Sequence, residues 1–203
     1  MTGVRSYGDP CGIARALDAV GERWGLLIVR ELLLGPKRFT DLRAALGASP
    51  NVLSQRLAEL EASGVVEKLG AGSAPYGLSD WGRDLRPILL ELGRWGARSA
   101  LHPNGDLSLD ALVIALESRF DPSRAPDLHA TYELRLGAER FSVAIEGGRI
   151  AVSRGAPPRC DAAIETDPAT LRAVAFGKTK LAQAPVDIRG DARLGRTFFR
   201  LFG

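Results

Sequence analysis

TDLRAALGASPNVLSQRLAELEA, Thr40 to Ala62, holds two short amphipathic segments separated by one tight turn. Thr40 can cap a helix that carries Leu42, Ala45 and Leu46 inward, and Gly47 ends it. Only Ala48 intervenes before Ser49-Pro50, a capping side chain followed by the residue best suited to a first helical position. The next helix is predicted from Pro50 to about Ser63, with Leu53, Leu57 and Leu60 in one stripe. Two short helices joined by a glycine turn make the helix-turn-helix pattern.

The opposite face of that helix carries Asn51, Ser54, Gln55, Ala58 and Ala62. It is polar, uncharged and small. Amides and hydroxyls match the donors and acceptors of base edges, and small residues allow close approach to a groove. Arg56, on the flank, can reach a phosphate. An ordinary solvated helix would also tolerate this face, although such faces usually carry Lys and Glu.

The flanking sequence turns the pair into a larger motif. After Gly64, Val65 to Leu69 reads as a strand, Gly70 to Pro75 as a loop and Tyr76-Gly77-Leu78 as a returning strand. A two-stranded ribbon after a helix-turn-helix is a wing. On the other side, Asp9-Pro10 starts a first helix with Ile13, Leu17 and Val20 at helical spacing. A second runs from about Trp24 to Leu34, with Trp24, Leu27, Ile28 and Leu32 inward, until Gly35-Pro36 stops it. Ser79-Asp80 opens a further helical stretch bearing Leu85, Ile88, Leu89, Leu92 and Trp95. Pro87 within it should kink or split the helix. This apolar stripe suits either a dimer interface or packing on a second domain. The dimer is preferred, with Leu85, Leu89, Leu92 and Trp95 as its residues, because a two-fold protein matches a palindromic operator on double-stranded DNA.

His102-Pro103-Asn104-Gly105-Asp106 is turn-rich and divides the chain. Residues 1–100 then form a mainly α winged helix-turn-helix domain, and residues 107–203 an α+β domain. In the second, a helix carries Leu109, Leu112, Val113 and Leu116 inward. Strands follow over Leu128–Leu136, Phe141–Ile145, Ile150–Val152 and Cys160–Thr166, punctuated by Gly137-Ala138 and the hairpin signal Gly147-Gly148. Asp167-Pro168 starts a helix through Leu171 and Phe176, Val186-Asp187-Ile188 reads as a last strand, and a terminal helix holds Leu194, Phe198, Phe199, Leu201 and Phe202. The layout predicts an antiparallel sheet with helices on one side.

Composition narrows the function. The 203 residues carry a formal charge of only +3, and the basic excess is shared by both halves, so bulk charge does not single out a nucleic-acid partner. Cys11 and Cys160 are far apart, and His102 and His129 are isolated, which leaves no disulfide framework and no metal-ligand cluster. No cofactor is implied. Nucleophile-elbow, P-loop, dinucleotide and zincin patterns are absent, so the chain reads as a non-enzyme. No apolar run would span a bilayer, and Met1 to Pro10 lacks a secretory h-region, so residence in the cytoplasm away from membranes is expected.

Cys11 to about Trp95 resembles the HxlR-type family of winged-helix transcription regulators. The resemblance rests on Leu17, Gly21-Glu22-Arg23-Trp24, Arg30-Glu31-Leu32, Gly35-Pro36-Lys37-Arg38-Phe39, Asp41-Leu42, Leu53-Ser54-Gln55-Arg56-Leu57, Leu60-Glu61, Gly64-Val65-Val66, Tyr76-Gly77-Leu78-Ser79, Gly82 and Trp95. It implies a homodimer with the Pro50 helix in the major groove, the wing beside the backbone and Arg38 on a phosphate. The candidate DNA contacts are Arg38, Thr40, Ser49, Asn51, Ser54, Gln55, Arg56, Lys68 and Ser73. The wing departs from the family pattern, because Leu69 to Pro75 holds no Lys or Arg. Cys11 matches a cysteine that some members use as a thiol sensor. A redox switch there is one alternative, and a small buried residue at a domain seam is the other.

Residues from about Leu109 to Phe202 resemble the sterol-carrier-protein-2-like domain. The carrying residues are Phe141 to Ile145, Gly147 to Ile150, Asp161 to Ile164, Phe176-Gly177-Lys178 and Ile188 to Asp191. This resemblance implies an apolar cavity between sheet and helices and, with it, a small-molecule effector of apolar character. Its candidate lining is Tyr132, Phe141, Val143, Leu171, Phe176, Phe198 and Phe202. Each of these residues also fits a plain core.

Overall fold

The computed structural model describes residues 6–99 and 105–202. The expected turn at His102-Pro103-Asn104 lies outside the described residues. Two compact units divide the chain, Met1–Leu89 and Leu90–Gly203.

The first unit contains α1 (Gly12–Val20), α2 (Gly25–Leu32), α3 (Phe39–Leu46), α4 (Pro50–Ala62), the strands β1 (Val66–Lys68) and β2 (Tyr76–Leu78), α5 (Asp80–Arg83) and the start of α6 (Leu85–Gly96). Its core gathers Ile28, Val29 and Leu32 of α2, Leu42 of α3, Leu53, Leu57 and Leu60 of α4, and Val65, Leu78 and Leu89. Of the first-helix residues read as a stripe, Val20 is buried, whereas Ile13 and Leu17 are exposed, as is Leu27 of α2. Gly82 lets α5 sit directly on the wing root. A Cβ there would lie 2.1 Å from the Val65 carbonyl oxygen, which no side chain could occupy.

Two sequence expectations shift here. Helix α3 begins two residues early, with Arg38 rather than Thr40 at the N-cap. The cause is Asp41, whose carboxylate accepts the Arg38 N–H at 3.3 Å and closes the first turn from within. The break in the last helical stretch falls at Asp84, between α5 and α6. Pro87 therefore lies in the first turn of α6, where its missing N–H leaves no hydrogen bond unmade.

The second unit contains α7 (Leu109–Arg119), β3 (Ala130–Leu136), β4 (Glu139–Glu146), β5 (Arg149–Arg154), β6 (Ala162–Thr166), α8 (Pro168–Ala175), β7 (Asp187–Gly190) and α9 (Ala192–Phe198). The sheet order is β5-β4-β3-β6-β7. It is mixed rather than antiparallel, because β6 crosses over and runs parallel to β3, Tyr132 opposite Ala162. Asp161 pins that crossover. Its carboxylate accepts the Thr131 N–H at 2.7 Å, and its own N–H donates to the Thr131 carbonyl at 2.8 Å. Alternation of apolar residues encodes which face a strand buries but not its direction.

Strand register puts Tyr132, Leu134, Phe141, Val143, Val152 and Ile164 on one sheet face. Helices α7 and α9 pack against the sheet, and α8 packs on α7. The other face carries Glu133, Arg135, Arg140, Glu165 and Arg189, joined by ion pairs. Glu133 is the buried member, and the Arg135 guanidinium at 2.8 Å holds its carboxyl below the ordinary carboxylate range.

Candidate nucleic-acid interface

Helix α4 is positioned by its ends and its leucines. Ser49 caps it, accepting the Val52 N–H at 3.4 Å, with Pro50 in the first turn. Gly47, at φ 65°, terminates α3 in the left-handed region and redirects the chain within two residues. Leu53, Leu57 and Leu60 are buried, which turns Asn51, Ser54, Gln55 and Ala58 outward together. The uncharged face read from sequence is therefore exposed on one side of one helix. Ser49 is exposed at the turn that opens α4, and Arg38 and Thr40 are exposed at the N-terminal end of α3.

Arg56 has other partners than a phosphate. Its guanidinium pairs with Glu59 and lies 3.6 Å from Glu22 in the turn before α2. The Gln55 amide is also engaged, donating to Glu59 Oε1 at 3.0 Å.

The wing pairs β1 with β2 in the register Val66↔Leu78 and Lys68↔Tyr76. Lys68 and Ser73 are both exposed, and the Lys68 ammonium lies 5.6 Å over the Tyr76 ring. The root of the wing is tied to the loop before α3. Lys37 donates its N–H to the Tyr76 carbonyl at 3.0 Å, and Tyr76 returns the bond at 2.8 Å. Behind this bridge lies Glu31, wholly buried, whose carboxylate holds Lys37 Nζ at 2.7 Å and the Arg30 guanidinium at 2.9 Å. Sequence reading assigned Glu31 and Lys37 no role. Nothing in the helical period marks a glutamate as buried unless its cationic partners are known.

The four residues read as a dimer face separate into two sets. Leu85 and Leu89 turn toward the first unit's core. Leu92 is 43% exposed and Trp95 67%, and they share an outward stripe with Ile88 at 57%. Cys11 is an exposed thiol at the α1 N-cap, its N–H donating to Asp9 Oδ1 at 2.8 Å, so it is not a buried seam residue.

Six of the seven residues named as a cavity lining are buried. Tyr132, Phe141, Leu171 and Phe198 have no exposed surface, and Val143 and Phe202 almost none. The Phe198 ring lies 5.1 Å from Tyr132 and 4.8 Å from Phe202. Phe176 is half-buried beneath the Arg119 guanidinium, 4.6 Å away. Two clefts of the second unit measure about 240 and about 330 Å³. The first runs between α7 and α8 past Leu107, Leu112 and Arg172, and the second passes Arg98, Ser118 and Phe202. Of the seven residues, only Phe202 borders either. The Tyr132 hydroxyl is buried with no hydrogen-bond partner among the described residues. Burial, reinforced by the Asp161 and Asp191 carboxylates, pushes its pKa up to about 12.

Among the described residues no His, Cys, Asp and Glu group could hold a metal ion, and no helix is long and apolar enough to cross a membrane.

Comparison with known proteins places the first unit. A family model described as HxlR-like helix-turn-helix matches residues 19–103. The HTH-type transcriptional regulator YvaP of Bacillus subtilis is 44% identical over 86 residues, covering 40% of this chain and 80% of the relative. The HTH-type transcriptional regulator Mb3122 of Mycobacterium bovis is 39% identical over 97 residues, covering 46% of this chain and 61% of the relative. Among solved structures, the reduced form of the transcriptional regulator YodB from B. subtilis is 27% identical, covering 47% of this chain and all of its own, with a TM-score of 0.40. The extent of the match to YvaP, together with the family model, shows that this chain belongs to the HxlR-like helix-turn-helix family.

Proposed function

We propose that the protein is a DNA-binding transcription regulator that reads base edges through α4, acting as a homodimer on a palindromic operator. The observation that carries this reading is the exposed, uncharged face of Asn51, Ser54, Gln55 and Ala58 on a capped helix behind a tight turn. The names of its HxlR relatives, all HTH-type transcriptional regulators, point the same way. Asn51→Ala should lose about 1–3 kcal/mol of discrimination at particular base pairs, measured by competition binding of variant duplexes. Arg38→Ala should instead weaken binding to all sequences and flatten the salt dependence of log K by about one unit of slope. An unchanged sequence preference in Asn51→Ala would overturn the groove assignment.

The homodimer rests on Ile88, Leu92 and Trp95, an outward apolar stripe on α6 that a lone soluble chain would leave wet. Leu92→Glu should shift the protein to monomer in analytical ultracentrifugation and weaken operator binding more than tenfold, since both half-sites are no longer held together. A wild-type chain that sediments as a monomer at micromolar concentration would refute the dimer.

The second unit is read as a sterol-carrier-protein-2-like module that answers to an apolar small molecule and shifts the DNA-binding equilibrium. Support comes from the buried Tyr132 hydroxyl, which has no partner among the described residues and would be completed by a water or by a polar atom of an otherwise apolar ligand. A thermal-shift screen with fatty acids, sterols and aromatic acids tests it, because a ligand that binds the native state raises the midpoint by mass action. No shift with any class leaves the unit a structural module.

A further inference from the structure

Glu59 lies one helical turn beyond Gln55 on α4, and both its carboxylate oxygens are engaged. Oε1 accepts from Gln55 Nε2 at 3.0 Å, and Oε2 accepts from the Arg56 guanidinium. Arg56 is in turn drawn to Glu22, 3.6 Å away and outside the helix. The carboxylate is therefore steadied by a cation that is itself anchored.

A glutamine amide can rotate by half a turn with little change of shape, exchanging its acceptor for its donors. A free Gln55 would present either order to a base. Beside Glu59 only one order is favourable, because the flipped amide would set its carbonyl against a carboxylate. One N–H is spent on Glu59. The carbonyl oxygen and the second N–H of this exposed side chain are left for a base edge. That pair matches the N6 donor and N7 acceptor of adenine, whereas guanine offers two acceptors to the same pair.

We infer that Glu59 is a positioning residue for base recognition: it locks the Gln55 amide in the order that selects adenine over guanine. The inference rests on the reading of α4 as the groove helix. It has an unusual signature. A carboxylate near DNA repels phosphates, so removing it should strengthen binding to arbitrary sequences while blurring the choice at one base pair.

The test uses the full chain and a duplex library randomised over two helical turns. Preferences are compared for wild type, Glu59→Ala, Glu59→Gln, Gln55→Ala and Asn51→Ala. Glu59 is 44% exposed, so the variants should keep the wild-type unfolding midpoint, which is checked in parallel. In Glu59→Ala, discrimination should fall roughly tenfold at the base pair whose preference Gln55→Ala also loses. Affinity for non-operator duplex should hold or rise severalfold. Glu59→Gln keeps an acceptor toward Gln55 and should retain most of the preference. An unchanged profile in Glu59→Ala, an equal weakening on every sequence, or an equal loss in both Glu59 variants overturns the inference. If Gln55→Ala alters the profile and Glu59→Ala does not, the groove helix stands and only the Glu59 assignment falls. If Gln55→Ala and Asn51→Ala also leave the profile intact, the groove reading fails and takes this one with it.

Discussion

Phe198→Ala should destabilise the second unit by about 4 kcal/mol, the range found when a fully buried Phe is truncated. The Phe198 ring has no exposed surface and lies against Tyr132, Phe199 and Phe202 at centroid distances of 5.1, 5.4 and 4.8 Å. Tyr132 is on a central strand and Phe202 follows the terminal helix, so neither can move in to fill the space without disturbing the sheet or the end of the chain. The loss therefore combines transfer of the ring to water with an unfilled hole. Urea unfolding followed by near-UV circular dichroism measures it, with the two units analysed as separate transitions. The same variant probes whether this region is core or cavity. A dry hole lined by Phe and Leu takes up small aromatics, so an added aromatic solute should recover part of the lost stability. A loss below about 1 kcal/mol would mean that α9 is a loosely held lid, and the fully packed arrangement would be wrong.

Glu31→Ala should cost the first unit about 3 kcal/mol. The carboxylate has no exposed surface and holds two cations, Arg30 at 2.9 Å and Lys37 at 2.7 Å. The substitution removes both of these ion pairs and takes from the Arg30 guanidinium and the Lys37 ammonium the carboxylate they share. The consequence reaches function through Lys37, whose backbone exchanges both of its hydrogen bonds with Tyr76 at the wing root. Looser Lys37 means a looser wing, so amide exchange at Lys37 and Tyr76 should quicken more than at Leu57 in α4. Because the site is buried, 1 M salt should leave most of the effect in place, unlike a surface pair. An effect that salt abolishes, or an exchange pattern uniform across the first unit, would show that Glu31 does not secure the wing.

Much of the first unit was legible from residue order, because its signals are local. Ser49-Pro50 starts a helix through contacts within three residues, Gly47 stops one through its own φ, and the leucines of α4 fix its inward face by the 3.6-residue period. Once that face is fixed, the outward position of Asn51, Ser54 and Gln55 follows without any tertiary information. The strands of the second unit and their buried faces were readable for the same reason, since alternation is a two-residue signal.

What the chain order could not carry were choices made between distant segments. Whether Leu85 and Leu89 serve a dimer or their own core depends on whether the cluster around Val65 and Leu78 reaches them, and it does. The direction of β6 depends on Asp161 meeting Thr131, thirty residues away. Arg56 looked free for a phosphate until the turn before α2 brought Glu22 beside it. The terminal Phe residues suited a cavity wall or a core equally well, and only the closure of α9 onto Tyr132 shows how near their rings come to the sheet. Each of these turns on long-range burial and charge pairing, which set free energies through three-dimensional neighbours and leave no mark in local spacing.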